Sequence, residues 1–306
     1  MSTIAMSRGR DRLLLVLALG ALWILWGSTY LSIRVAVRSI PPFTMAGGRF
    51  VLAGGALCLW LLATRAPLFE RRAWRGGLAS GFLLVLCSNG LVSWSSRALD
   101  SNVVALLVAT VPMWMALLET LGGKRQGPLV WLAVALGLAG VATLAWPASD
   151  GLPLHPPSVA ALMVATLCWS FGSLWSRGAM QGVDARAFAA AQMICGGVLQ
   201  LAAGALMGEW RGFDPLAVPP SGWGNMLYLA VAGSLVGFSA YLWLLRHHSS
   251  SLAASYAFVN PLVALLLAAT IGEETLGPRT LPAALLILAA VVCVLRLRAR
   301  ESKRAA

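Results

Sequence analysis

Ten runs of apolar residues follow one another along this chain, at about 13–33, 42–64, 76–96, 102–121, 128–147, 158–176, 187–208, 223–245, 251–271 and 280–295. Each approaches the ~20 residues that an α-helix needs to cross the hydrocarbon core of a bilayer. The shortest, the last, lies between Arg279 and Arg296, whose long side chains can reach the two interfaces. A helix satisfies its own backbone groups in lipid, which irregular chain and open strands cannot do. The predicted fold class is therefore an all-α membrane protein with ten transmembrane helices joined by short loops. Composition agrees, because 59% hydrophobic and 11% charged residues stand far from the roughly one-quarter charged content of soluble domains.

The formal net charge of +12 would suggest a nucleic-acid partner in a soluble protein. Here the basic residues sit between apolar runs and form no continuous face, which argues against such a partner. They set orientation instead: 17 of the 23 Lys and Arg fall on the N-terminal side of the spans, five on the other, and Arg49 alone lies inside one. By the positive-inside bias both termini are predicted to be cytoplasmic. Arg8, Arg10 and Arg12 precede Leu13–Leu22 as in a signal peptide, but no A-x-A-like cleavage site follows, so this segment is read as a retained first helix. The five cysteines are isolated within apolar runs, with no spacing for a metal or redox pair.

The two halves repeat. At an offset of 143, Trp26 falls on Trp169, Arg34 on Arg177 and Gly54 on Gly197; at 149, Trp94 falls on Trp243, Arg97 on Arg246, Ser101 on Ser250, Ala105 on Ala254 and Pro112 on Pro261. The change of register fits a longer loop between the seventh and eighth helices. Residues 1–147 and 158–306 are thus expected to be two repeats of five helices, joined by an extracytoplasmic loop at 148–157. Five is odd, so the second repeat enters the membrane in the opposite sense. Inverted repeats are the architecture of secondary transporters that expose one site to each side in turn.

Trp26-Gly27-Ser28-Thr29-Tyr30, Pro41-Pro42 and Gly48-Arg49-Phe50 resemble the opening of the EamA domain of the drug/metabolite transporter superfamily. So does Ser101–Pro112, repeated as Ser250–Pro261 and followed by Gly272-Glu273-Glu274. The resemblance covers nearly the whole chain and is greatest to aromatic amino acid exporters of the YddG type. It implies a ten-helix bundle with a central cavity used to export small metabolites. One departure is visible, since the position twelve after the proline is Glu273 in the second half and Lys124 in the first.

Among candidate site residues, Arg49 is the one cation well inside a span, and an intramembrane charge marks function by default. It can clamp a substrate carboxylate through both guanidinium edges, or cap helix ends near the outer mouth. The amides of Asn89, Gln192 and Asn260 must face inward, because an unpartnered amide in lipid is costly; they either bind substrate or bond neighbouring helices. Ser88, Ser93, Ser234, Ser239 and Tyr256 complete the sparse polar groups at mid-depth. Trp26, Trp114 and Trp169 are deep enough to line a cavity, whereas Trp60, Trp74, Trp131, Trp146, Trp210 and Trp223 fit the interfacial belt. Pro112 and Pro261 interrupt equivalent helices, as gating bends or static kinks. Gly47-Gly48, Gly54-Gly55 and Gly196-Gly197 would let helices approach and slide.

Glu119 pairs most simply with Lys124 or Arg125 at the interface, and the remaining carboxylates fall in loops or at helix ends. With His155, His247 and His248 also in loops, no mid-membrane group is placed to relay protons. The expectation is facilitated export of amphipathic small molecules, aromatic or neutral amino acids foremost, from the bacterial cytoplasm across the inner membrane by a functional monomer. No cofactor or metal is called for. A multidrug or nucleotide-sugar carrier is the nearest alternative, the latter weakened by the single cavity cation. An intramembrane enzyme is remoter, because no H-E-x-x-H, paired-Asp or Ser/His/Asp set stands at membrane depth.

Overall fold

The computed structural model describes residues 2–123, 125–145, 155–248, 250–272 and 277–305. They form α1 (Asp11–Ala36, the membrane-length part of a helix that begins before it), α2 (Pro42–Ala63), α3 (Arg71–Ser95), α4 (Ser101–Leu121), α5 (Pro128–Ala145), α6 (Pro156–Ala179), α7 (Ala185–Leu206), α8 (Pro220–His247), α9 (Tyr256–Thr270) and α10 (Thr280–Ala305). No strand occurs among the described residues. Seven helices, α1–α4 and α6–α8, are long and apolar enough to cross a membrane; α5, α9 and α10 hold shorter apolar stretches, Pro128–Thr143, Val259–Thr270 and Thr280–Cys293. Lys124, Glu273, Glu274 and positions 148–154 of the connecting loop lie outside the described residues.

Local sequence sets the helix boundaries. Proline opens α2, α6 and α8, where a missing N–H leaves nothing unsatisfied. Past the ends of α4 and α7, Gly123 and Gly208 adopt φ of 93° and 79°, the left-handed region that closes a helix and that only glycine enters freely. Asp184 caps α7, its Oδ1 accepting from the backbone N–H of Arg186 at 2.8 Å. Two distant glutamates add caps. Glu209, in the loop after α7, accepts from the N–H groups of Phe43 (3.0 Å) and Thr44 (2.8 Å) at the start of α2. Glu70, in the loop after α2, accepts from the Asp184 N–H (3.3 Å) at the start of α7. Each carboxylate meets the positive end of a helix dipole.

Small residues bring the helices close. Against α7, Gly47 of α2 lies on Gly197 and Leu201, and Gly54 on Met193 and Ile194, so the two helices run antiparallel. Likewise α5 runs antiparallel to α10, with Gly137 near Ala290 and Gly140 near Ile287 and Ala283. The remaining large interfaces are α3 with α7, α3 with α6, α1 with α8, α1 with α9, α4 with α6 and α2 with α8.

Three helices loosen into π-helical turns, at Ala21–Leu25 of α1, Gly81–Asn89 of α3 and Leu229–Val236 of α8. Such turns are rare and gather at functional sites. Helix α4 breaks at Ala109–Thr110, so that Pro112 stands at the second position of the segment Val111–Leu121, where its missing N–H costs nothing. Its counterpart Pro261 stays inside α9, and the chain turns earlier, at Ala254–Ser255. The two prolines that match in sequence thus accompany breaks of the helix at non-equivalent places.

Candidate functional site

Where the π-turns converge, the bundle encloses a cavity of about 70 Å³. Trp26, Thr29, Tyr30 and Ile33 of α1 line it, with Arg49 of α2, Ser88, Asn89 and Val92 of α3, and Val108 and Val111 of α4. Thr166 and Trp169 of α6, Gly233 and Phe238 of α8, and Tyr256 of α9 complete the wall. Ile33 and Val92 stand three residues from the ends of α1 and α3, about 5 Å at the helical rise. Trp169 is thirteen residues from the start of α6, about 20 Å. The cavity therefore occupies the stretch between about 5 Å inside the bundle end that carries the 37–41, 96–100 and 207–219 loops and the middle of the bundle.

Arg49 is the charged group of this wall. It is 3% exposed, donates through Nη2 to Asn89 Oδ1 at 2.6 Å, and sets its guanidinium 4.7 Å from the centre of the Phe50 ring. Its Nε finds no acceptor, and no carboxylate pairs with it among the described residues. Asn89 in turn donates through Nδ2 to Leu84 O at 2.8 Å. A buried guanidinium with one neutral partner is under-compensated in a low-dielectric site.

Aromatic rings form the floor. Trp26 of α1 meets Trp169 of α6 (5.5 Å between centroids, 78° between planes), Phe238 (5.6 Å) and Tyr241 (5.3 Å) of α8, and Tyr256 of α9 (5.0 Å). Phe238 continues the cluster to Phe50 of α2 at 5.1 Å. Edge-to-face contacts of this kind add ~0.5–1.5 kcal/mol each beyond area burial. Two glycines make room: Gly233 lends its carbonyl to the Trp26 Nε1–H at 2.9 Å, and a Cβ on Gly237 would strike the Trp26 ring. Below the rings, Tyr241 donates its hydroxyl to Ser173 Oγ at 2.7 Å, tying α8 to α6. The open volume is far below the ~300 Å³ of a typical small-molecule pocket, so admitting a solute requires these rings to move.

Of the side chains singled out from sequence, Trp26, Arg49, Asn89, Trp169 and Tyr256 are brought together here. Asn260 stands behind Tyr256, its carboxamide among the carbonyl oxygens of Leu22, Trp23 and Tyr256 at 3.0–3.2 Å, which its nitrogen faces as donor; it ties α9 to the π-turn of α1. Gln192 is fully buried in α7, with both amide atoms unpartnered. Trp114 lies on α4 outside the lining, its Nε1 unpartnered. Pro112 adjoins the lining residue Val111, and Pro261 follows Asn260. Sequence reasoning passed over Phe238, Gly233 and Tyr241. The 149-residue offset could have found Phe238, which falls on Asn89.

A solved crystal structure superposes with a TM-score of 0.66 over 92% of this chain and 96% of that one, at 19% identity, which speaks to the fold. The chain is 37% identical to the "uncharacterized inner membrane transporter YedA" of Escherichia coli K12 over 94% of its length and 92% of that protein's. Against the "uncharacterized transporter YvbV" of Bacillus subtilis the identity is 24%, over 95% and 94%. Protein PecM of Dickeya dadantii shares 27% over 88% of each chain. The EamA-like transporter family matches twice, over residues 13–146 and 157–296. With nearly its whole length matched, the chain belongs to the EamA-like transporter family, within the drug/metabolite transporter superfamily.

Proposed function

We propose that this protein is an exporter of amphipathic small metabolites bearing a carboxylate, resident in the bacterial inner membrane and working by alternating access as a monomer. Aromatic and neutral amino acids, to which the resemblance points, and their ammonium-free analogues both belong to this class. The observation that carries the reading is Arg49, buried in the cavity wall without an acidic partner and flanked by an aromatic floor. A cation opposite apolar rings suits a solute with a carboxylate at one end and a greasy body at the other. The relative named an inner membrane transporter and the run of apolar helices support the location.

Ten crossings in two inverted repeats, 1–147 and 158–306, supply the machinery. In favour stand the two family matches, the antiparallel packing of the sequence-equivalent helices α2 and α7, and the π-turns of α3 and α8, which coincide to within about two residues at the 149-residue offset. The interfaces pair off too, α1 with α9 answering α6 with α4, and α3 with α7 answering α8 with α2. A cavity displaced toward one end of the bundle and floored by rings at mid-depth suits one half of an alternating-access cycle.

Two measurements test this. In proteoliposomes loaded with labelled Phe, Thr and Met, saturable efflux should proceed without an imposed pH gradient and fall at least tenfold in Trp169→Ala, with Asn260→Ala slower through loosened α1–α9 packing; absence of any saturable efflux removes the amino acid reading. In a cysteine-free background, Leu216→Cys, on a fully exposed loop residue, should react with an impermeant maleimide from outside intact cells, and Gln181→Cys only after permeabilisation. The reverse pattern overturns the orientation.

A further inference from the structure

We propose that the solute carried through this cavity has a net negative charge, being a monocarboxylate with an apolar body and no ammonium group, and that the inside-negative membrane potential drives it outward without a coupling ion. This rests on the reading of the cavity as a transport site and narrows its substrate class.

Among the described residues lining the cavity there is one cation, Arg49, and no carboxylate. A monoanion brings the occupied site to neutrality. A zwitterion cancels Arg49 with its carboxylate but leaves its own ammonium buried without a counter-charge, which a site of low dielectric penalises heavily.

Among the fully buried atoms of the lining, Arg49 Nε is left without a partner and can only donate. Two oxygens of the wall already receive a donor, Asn89 Oδ1 from Arg49 at 2.6 Å and Gly233 O from Trp26 at 2.9 Å, and no anionic acceptor for an ammonium stands among the described lining residues. An unfilled N–H on a buried cation is complementary to a carboxylate.

At the same end of the bundle as the cavity, a cleft of about 410 Å³ is lined by Arg38, Arg97 and Arg211. Its one acid, Glu209, is engaged by the N-terminus of α2. A basic rim draws anions toward this end. For the driving force, no carboxylate stands at mid-depth among the described residues to relay a proton. None is needed, because an inside-negative potential of ~100 mV favours a monoanion outside by about fifty-fold, equivalent to ~2.3 kcal/mol.

The test compares phenylalanine with phenyllactate, in which a hydroxyl replaces the ammonium and little else changes. Full-length protein in proteoliposomes should transport phenyllactate with a kcat/KM at least tenfold above that for phenylalanine, after subtraction of protein-free vesicles. A valinomycin-set, inside-negative potassium potential should accelerate phenyllactate efflux several-fold and leave phenylalanine efflux unchanged. Arg49→Lys, which keeps the charge, should retain part of the phenyllactate flux that Arg49→Gln loses. Phenylalanine transported as well as or better than phenyllactate, or phenyllactate efflux indifferent to potential, overturns this inference while the transport-site reading stands. Saturable flux of neither compound by monodisperse wild-type protein overturns both.

Discussion

Replacing Arg49 by glutamine is expected to lower carboxylate efflux about a hundredfold while leaving the melting temperature of the detergent-solubilised protein unchanged or higher. The two effects have opposite signs for one reason. A charge-assisted, two-edged contact between guanidinium and carboxylate in a desolvated site contributes ~3 kcal/mol, and each 1.4 kcal/mol is a factor of ten in affinity. In the empty protein the same guanidinium is a liability: 3% exposed, without an acidic partner among the described residues and with Nε unsatisfied. Removing an uncompensated buried charge is neutral or stabilising, the usual exchange between stability and function at a binding site. Glutamine can still reach toward Asn89, so the neighbouring hydrogen bond is the smaller loss. A melting temperature lowered by more than about 5 °C with efflux retained would instead make Arg49 a structural cap.

How much of this was legible in the sequence depends on what each residue does to its surroundings. The apolar runs and their opening prolines, Pro42, Pro156 and Pro220, give helix positions to within a few residues, since lipid leaves the backbone little choice. Arg49 and Asn89 stand out because polar groups at membrane depth are scarce, and the structure sets them 2.6 Å apart. Phe238 and Tyr241 do not stand out, because one more aromatic residue in an apolar helix carries no mark of which way it faces. The π-turns are invisible for a related reason: Gly81–Asn89 and Leu229–Val236 read as ordinary apolar helix, and only packing selects the wider turn. Asn260 and Gln192 show the limit of scarcity as a guide. Both are buried amides, yet one spends its hydrogen bonds on α1 and the other has none. The paired prolines show the limit of symmetry, since equal sequence positions in α4 and α9 accompany unequal breaks.

A methyl group added at Gly81 is expected to destabilise the bundle by ~3 kcal/mol or more, lowering the melting temperature by roughly 5–10 °C, whereas the same change at Gly55 is neutral or mildly stabilising. Both are glycine-to-alanine changes inside helices, so the intrinsic propensity gain of up to ~1 kcal/mol is common to them. What differs is the neighbour. A Cβ at Gly81 would lie 2.6 Å from Gln192 O, 2.8 Å from Gly196 N and 3.1 Å from Gly196 Cα, all backbone atoms of α7, whereas nothing stands within 4 Å of one at Gly55. A flexible side chain can swing away, but a helix backbone cannot, so α3 and α7 must part along their length and lose the dispersion contacts that hold helices together where lipid supplies no hydrophobic drive. Gly48→Ala gives an intermediate case, because its Cβ would press on the methyl end of Met226, which can rotate aside. The order of melting temperatures should therefore be Gly55→Ala, then Gly48→Ala, then Gly81→Ala. Equal stability of the Gly81 and Gly55 variants would mean that α3 and α7 do not meet backbone to backbone. The cavity depends on that contact, since the π-turn that begins at Gly81 ends at Asn89, the partner of Arg49.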